Sequence, residues 1–452
     1  MAARPVDAAR DFLAPGVASP PSAPVGAAPV APSGQFTPIE RTLVTNTVPA
    51  RTEDAPRTPV QRRILTVLVA AQVLSGAGLA AGVTVGSLLA QDMLRSTSLA
   101  GLPSALGTAG SALAALAVGR ISQARGRRPG LAAGYLAGAV GSAGVIAAAV
   151  AGNAVLLFLS LFVYGAGTAT NLQARYAGAD LASPAHRASA VSTVLVATTL
   201  GGVVGPNVTA PTGDLAHILG IPYLAGPFIL AGVAYAMAAL ILVIWLRPDP
   251  LLLAGTLEAE RTAAASAQPG EATGRARPAV AGHRPRLLGG ALAMVLTQVV
   301  MVAIMTMTPV HMHDHGHGTG ASGLVIAVHI GAMYLSSPLT GWLVDRYGRL
   351  TIAAASGLTL LVAGIVAASA PGDSVAPLVV ALALLGLGWN FGIVTGTAII
   401  TDAVPLATRA KTQGLVDVAI AVAGATGGMA SGFVVATAGY PLLAIGGGIL
   451  AL

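Results

Sequence analysis

The chain of 452 residues is 54% hydrophobic and 9% charged, with a mean hydropathy of +0.77 and no cysteine. A water-soluble domain carries about 25% charged residues, so the composition excludes an ordinary soluble fold, and the missing thiols exclude disulfide scaffolds and thiolate metal centres. The net charge of +7 does not point to nucleic acid, because the basic residues are scattered over short loops, where they set membrane topology.

Residues 1–60 are rich in Pro and Ala and lack the apolar core of a signal peptide, so they read as a disordered cytoplasmic tail. Apolar runs of about 20 residues mark spanning helices. They predict six segments at 64–91, 98–119, 129–151, 154–174, 188–209 and 222–246, forming a first half over 61–246. A Pro/Ala/Arg-rich cytoplasmic linker follows over 247–286. Six more segments, at 287–309, 321–342, 350–370, 376–400, 412–436 and 440–452, form a second half over 287–452. The twelfth is too short to span at a rise of about 1.5 Å per residue, so it is expected to be truncated.

Lys411 is the single lysine among the 24 basic residues. With the N-terminus inside, the tail, the even-to-odd loops and the linker hold all of them except Arg95, as the positive-inside rule requires. The hairpin 310–320 then faces outward. Trp245 and Trp342 fall at cytoplasmic helix ends, where interfacial anchors belong.

The chain repeats internally. GRISQARGRR begins at Gly119 and GWLVDRYGRL at Gly341, 222 positions later; Asp180 and Arg187 recur at the same offset as Asp402 and Arg409. Two independent loops sharing one offset indicate two six-helix halves. Gly341, Asp345, Arg346, Gly348 and Arg349 resemble the loop signature G-x3-D-R-x-G-R of the major facilitator superfamily. The first-half copy keeps Gly119, Gly126, Arg127 and Arg128 but has Gln123 and Ala124 where Asp and Arg are expected. The resemblance implies an all-α polytopic membrane protein of major facilitator fold, with a route between rocking halves. These residues, with Asp180, Arg187, Asp402 and Arg409, are candidate gating groups. Asp345 is expected near the start of segment 5, where free amides and the helix dipole favour an anion, and the Gln123 copy of this latch is expected to be weaker. Asp417 would carry a coupling proton or, better placed for it near the cytoplasmic end, pair with a loop arginine such as Arg187 or Arg346.

Residues 301–333 hold five of ten methionines and five of eight histidines. Met301 and Met305 in segment 7, and His329 and Met333 in segment 8, are each four apart, which stacks the pairs on adjacent turns. Met301 and His329 would both lie about 12 Å below the outer ends of their helices, facing each other across an antiparallel pair. Thioethers are soft ligands that favour Cu(I), and imidazole suits copper as well. His311, Met312, His313, His315 and His317, with Asp314 among them, form a short tract of the kind that collects metal ions. Methionines on a helix face also serve simply as packing. The two pairs resemble the motif of the CcoA-type copper importers, a bacterial branch that also includes riboflavin-linked relatives.

In segment 5, Gly201 opens GGVVGPN, whose Gly205, Pro206 and Asn207 resemble a proton-coupled exporter signature or provide a kink with close packing. Asn171, Gln173 and Arg175 end segment 4, while Trp389 and Asn390 lie in segment 10. They would line the route or hydrogen-bond between helices. No enzyme constellation appears: no phosphate-binding loop, cysteine nucleophile or zinc-protease pattern. The reading is a secondary transporter of the bacterial cytoplasmic membrane, monomeric, without cofactor, importing copper as its cargo. The alternatives are an exporter or carrier of a small organic solute such as riboflavin, and a metal sensor that does not transport.

Overall fold

The computed structural model describes residues 58–94, 102–207, 209–266 and 283–452; of residues 80–84, 87, 202–207, 209, 265, 283 and 319 it describes the backbone only. Residues 1–57 of the tail and Arg95 lie outside the described residues, and residues 59 and 60 belong to the first helix. Fourteen α-helices and no strands occur among those described. In chain order they are α1 Pro59–Leu94, α2 Leu102–Arg125, α3 Arg127–Ala151, α4 Ala154–Ala179, α5 Arg187–Asn207, α6 Thr209–Ile218 and α7 Gly226–Trp245. Then come α8 Pro250–Ser266, α9 His283–Asp314, α10 Thr319–Leu335, α11 Ser337–Tyr347, α12 Arg349–Ala368, α13 Ala376–Ala403 and α14 Arg409–Leu450. Nine helices among the described residues are long and apolar enough to cross a membrane, or ten if the bent pair α10 and α11 is one span. The protein is a multi-pass membrane protein.

Two apolar cores organise the helices. One joins α1 to α5 and α7 around Leu68, Leu131, Tyr135, Leu161 and Phe228. The other gathers α9 to α14 around Met294, Ile304, Leu360, Leu382 and Trp389, and takes in Val191 and Leu195 of α5. Large side chains such as Val155, Leu159, Leu240, Met429 and Phe433 stay exposed, which suits a hydrocarbon solvent rather than water.

Several boundaries differ from the sequence expectation. Segment 4 does not stop at 174: α4 runs to Ala179, so Arg175 lies more than a turn inside the helix and is buried. Segment 8 is α10 and α11, bent by 42°, with Pro338 in the first turn of α11, where it needs no N–H partner. Segments 11 and 12 are the two arms of α14, kinked at Gly439, which has φ +80° and is followed by Pro441 two residues on. Segment 7 continues past Pro309 to Asp314.

The region expected to be linker holds a helix, α8. Asp249 starts it, its carboxylate accepting the N–H of Leu251 at 3.0 Å and Leu252 at 3.2 Å, and Pro250 fits the first position. Its Leu/Ala/Glu-rich sequence favours a helix intrinsically. The same carboxylate accepts the N–H of Arg128 at 2.7 Å, tying α8 to the start of α3. Gly126 makes that approach possible. Its φ is +98°, and a Cβ there would lie 2.4 Å from the Asp249 carboxylate.

Candidate functional site

At the arginine-rich end the halves meet through one set of positions used twice. Asp345, on α11, accepts the N–H groups of Ala188 at 3.1 Å and Ser189 at 2.9 Å, and the Ser189 hydroxyl at 2.6 Å. These are the first free amides of α5, where the helix dipole favours an anion. The repeat-equivalent contact uses Gln123, on α2. Its carbonyl accepts the N–H of Ala410 at 2.8 Å and, more weakly, of Lys411 at 3.4 Å, while its amide donates to Leu406 O at 3.1 Å. Beside each contact two helices cross closely. A Cβ on Gly414 would lie 2.6 Å from Ala115 O and 3.1 Å from Gly119 Cα, and one on Gly341 would lie 2.8 Å from Ser189 Cα.

The loop charges exchange partners between halves. Asp180 binds Arg127 through Nε at 2.8 Å and lies 3.9 Å from Arg409. Asp402 binds Arg349 at 2.8 Å and also Arg187. Each carboxylate therefore sits between an arginine of its own half and one of the other. Arg127 further donates to Gln413 on α14. Arg346 and Gly348 are exposed, and the φ of +91° at Gly348 turns the chain from α11 into α12.

Asp417 does not pair with Arg187 or Arg346. Its partner is Arg175, at 2.8 Å across the seam between α4 and α14. Arg175 is fully buried and also donates to Thr397 Oγ1 at 2.9 Å, to the Tyr176 hydroxyl at 3.0 Å and to Leu172 O. The expectation of a loop partner fails because α4 carries Arg175 inward past the loop level.

The soft donors are less gathered than the antiparallel-pair expectation requires. α9 and α10 scarcely meet; each packs on α13 instead. Met301 is buried in the apolar core of its half, as are Met294, Met312 and Met333, with Met305 packed against them. His329 is fully buried; its Nδ1 faces Leu382 O on α13 at 2.9 Å, and its Nε2 has no partner. The histidine tract is not an assembled metal cage. Among the described residues no group of three His, Asp or Glu could hold a metal ion. The reason is that α9 continues helically to Asp314. His311 stacks on Tyr440 with ring centroids 4.3 Å apart, and its O faces His315 Nδ1 at 2.8 Å. His317 Nε2 faces Gly372 O at 2.9 Å, and His313 is exposed.

Polar residues of the two halves are employed differently. Asn171 donates to Ser75 Oγ at 2.8 Å, and Gln72 bonds Asn171 O and Thr198, a network within the first half. Gln173 donates to Ala115 O at 2.8 Å. Asn390 donates to Met333 O and Ser337 Oγ, both at 2.6 Å, leaving its own Oδ1 unpartnered. Trp389 Nε1 donates to Gln298 Oε1 at 2.8 Å, and its ring meets Tyr334 edge-on at 5.7 Å. The side chains of Pro206 and Asn207 and the surroundings of Gly205 lie outside what the structure describes.

The sequence profile of the Major Facilitator Superfamily matches residues 67–389 and 290–452. The chain belongs to this superfamily. It is 57% identical to the MFS-type transporter YdeG of Bacillus subtilis over 86% of this chain and 90% of that one. It is 30% identical to the riboflavin transporter RfnT of Brucella anthropi over 79% and 85% of the two chains. Among solved structures, the human organic anion transporter MFSD10 shares the fold with TM-score 0.69 at 17% identity, over 87% of this chain and 98% of that one. The proton:xylose symporter XylE does so with TM-score 0.63 at 17% identity, over 88% and 94%.

In this MFS-type transporter, which is not an enzyme, sequence reasoning missed Gln298, Gln413 and Thr397. Each is a neutral polar residue in an apolar helix, and only the helix facing it reveals its partner. Asp249 was also missed, although an Asp-Pro pair before a Leu/Ala/Glu run is a legible helix start.

Proposed function

We propose that this transporter imports copper, entering from the end that carries the histidine tract and leaving at the arginine-rich end, with that end and the N-terminus in the bacterial cytoplasm. The observation that carries the reading is His329, buried within the membrane with an Nε2 that no protein group satisfies. An ionisable side chain at such a depth is costly without a use, and a free imidazole nitrogen with Met333 one turn further along the same helix suits a soft metal ion. The donors are also peculiar to one half. The repeat-equivalent positions of Met301, Met305, His329 and Met333 are Leu79, Val83, Gly107 and Ser111, so packing of the shared scaffold does not demand sulfur or imidazole there. The test is uptake of radioactive copper by whole cells expressing wild type, His329→Ala or Met301→Leu at equal membrane abundance. Loss of uptake in both variants supports the reading. Equal uptake in all three, or none above background in wild type, sinks it.

A second reading, a carrier of a flat organic solute such as riboflavin, draws on the similarity to RfnT and on the Gln298–Trp389–Tyr334 group. An aromatic pair with a polar amide suits stacking and hydrogen bonding to a ring system. Labelled riboflavin uptake that is lost in Trp389→Ala but kept in His329→Ala would favour it over copper.

A further inference from the structure

In a two-fold arrangement, a residue can touch its own repeat-equivalent only where both lie close to the axis, because a half-turn carries every other point away from its image. Arg175 and Thr397 stand 222 positions apart, the repeat offset, and Arg175 Nε donates to Thr397 Oγ1 at 2.9 Å. They therefore mark the axis between the halves. Halves that rock against each other open a route along this seam, so the Arg175 cluster closes that route.

Asp417 completes the closure and differs from the other gate carboxylates. Asp180 engages Arg127 through both oxygens, Asp402 engages two arginines, and Asp345 accepts three donors. Asp417 receives Arg175 at 2.8 Å and the Tyr176 hydroxyl at 3.1 Å on Oδ1 alone, while its buried Oδ2 has no partner. A buried carboxylate with one bare oxygen keeps much of its desolvation cost uncompensated. Arg175, by contrast, retains Thr397, Tyr176 and Leu172 as neutral acceptors and stands 4.3 Å over the Tyr176 ring. It remains well held if Asp417 loses its charge. Arg127 on α3, with Arg175 and Tyr176 on α4, are the charged or titratable groups acting on Asp417; Thr397 and Thr401 of α13 and Gln413 of α14 are neutral.

We propose that Asp417 is the proton-binding site of this transporter. A proton delivered by hydronium, which is left as water, binds Oδ2, the carboxylate becomes a neutral acid, its charge-assisted tie to Arg175 is lost, and the arginine-rich end is free to open. No further covalent bond forms or breaks. The inference rests on superfamily membership and not on the copper reading.

The test needs no cargo. Since the chain has no cysteine, Ala124→Cys and Leu350→Cys supply the only two thiols, on exposed positions of opposite halves at the arginine-rich end. Spin labels on them report the separation by double electron–electron resonance in lipid nanodiscs. Lowering pH from about 8 to about 5, a range in which buried carboxylic acids titrate, should shift wild type toward longer separations. Asp417→Asn should show the longer separation at both pH values and lose the response. Tyr176→Phe, which removes one donor to the charged form, should raise the midpoint of the shift, and it covers the case in which Asp417→Asn does not fold. A wild type with no pH response, an Asp417→Asn variant that keeps the response, or an unmoved midpoint in Tyr176→Phe overturns the proposal. A positive result with no copper uptake leaves the proton site standing and removes only the copper reading.

Discussion

The halves close on each other through two sets of equivalent positions that carry different chemistry. On one side stand Gln123 and the Arg127–Asp180–Arg409 group; on the other stand Asp345 and the Arg349–Asp402–Arg187 group. In the first, Arg127 and Asp180 are 0% exposed; in the second, Arg349 and Asp402 are 28% and 27% exposed. The difference follows from α8 and Gln413. Asp249 anchors α8 over the turn between α2 and α3, and Gln413 covers Arg127, whereas the position equivalent to Gln413 is Val191. The helix-start contact has the opposite bias: it uses a charged carboxylate at Asp345 but a neutral amide at Gln123. One latch thus relies on a buried ion pair and the other on a charged helix cap. A repeat fixes positions in space, and each half can then drift chemically so long as each central carboxylate of the latch keeps an arginine.

The sharpest way to break this comparison is to remove each central carboxylate. Asp180→Asn strands Arg127 in a buried site and should cost about 3–5 kcal/mol. Asp402→Asn, in a partly exposed group, should cost about 1 kcal/mol or less. Thermal unfolding in detergent reads both, and equal losses would end the distinction. Raising salt should weaken the Asp402 group alone, because buried pairs are poorly screened.

Glycine positions sharpen the comparison at intermediate size. Gly126 and Gly348 share a positive φ, but a Cβ on Gly126 meets Asp249 while nothing lies within 4 Å of one on Gly348. Gly348→Ala should cost about 1–3 kcal/mol for backbone strain. Gly126→Ala should cost that amount plus the displacement of Asp249 and α8. Similar melting temperatures for the two variants would show that α8 does not hold the first latch.

The smallest effect is expected at the cap. Gln123→Asp places a full charge at the start of α14 and should favour the closed arginine-rich end by about 0.3–1 kcal/mol. Asp345→Asn should act the other way on α5. The spin-label separation between positions 124 and 350 measures both, and shifts of the same sign would refute the cap assignment.

Much of the architecture is legible in the sequence because hydrocarbon imposes simple demands. Apolar runs, arginine placement and a repeated loop follow from the need to satisfy every backbone group inside a membrane. They locate the helices, pair the two loops and put Asp345 at the start of α5 before any contact is seen. Composition along one strand of chain also picks out His329 and its neighbouring methionines as unusual. What it does not contain is which helix faces which. Met301 and His329 share depth and spacing, yet α13 stands between their helices and takes the His329 ring nitrogen on Leu382. Arg175 reads as a polar residue at the end of segment 4, and only the packing of α4 shows that its partners are Thr397 and Asp417. Those outcomes depend on contacts 53 to 242 residues apart, and only packing in three dimensions decides them, because a buried charge or imidazole accepts whichever partner the neighbouring helices deliver.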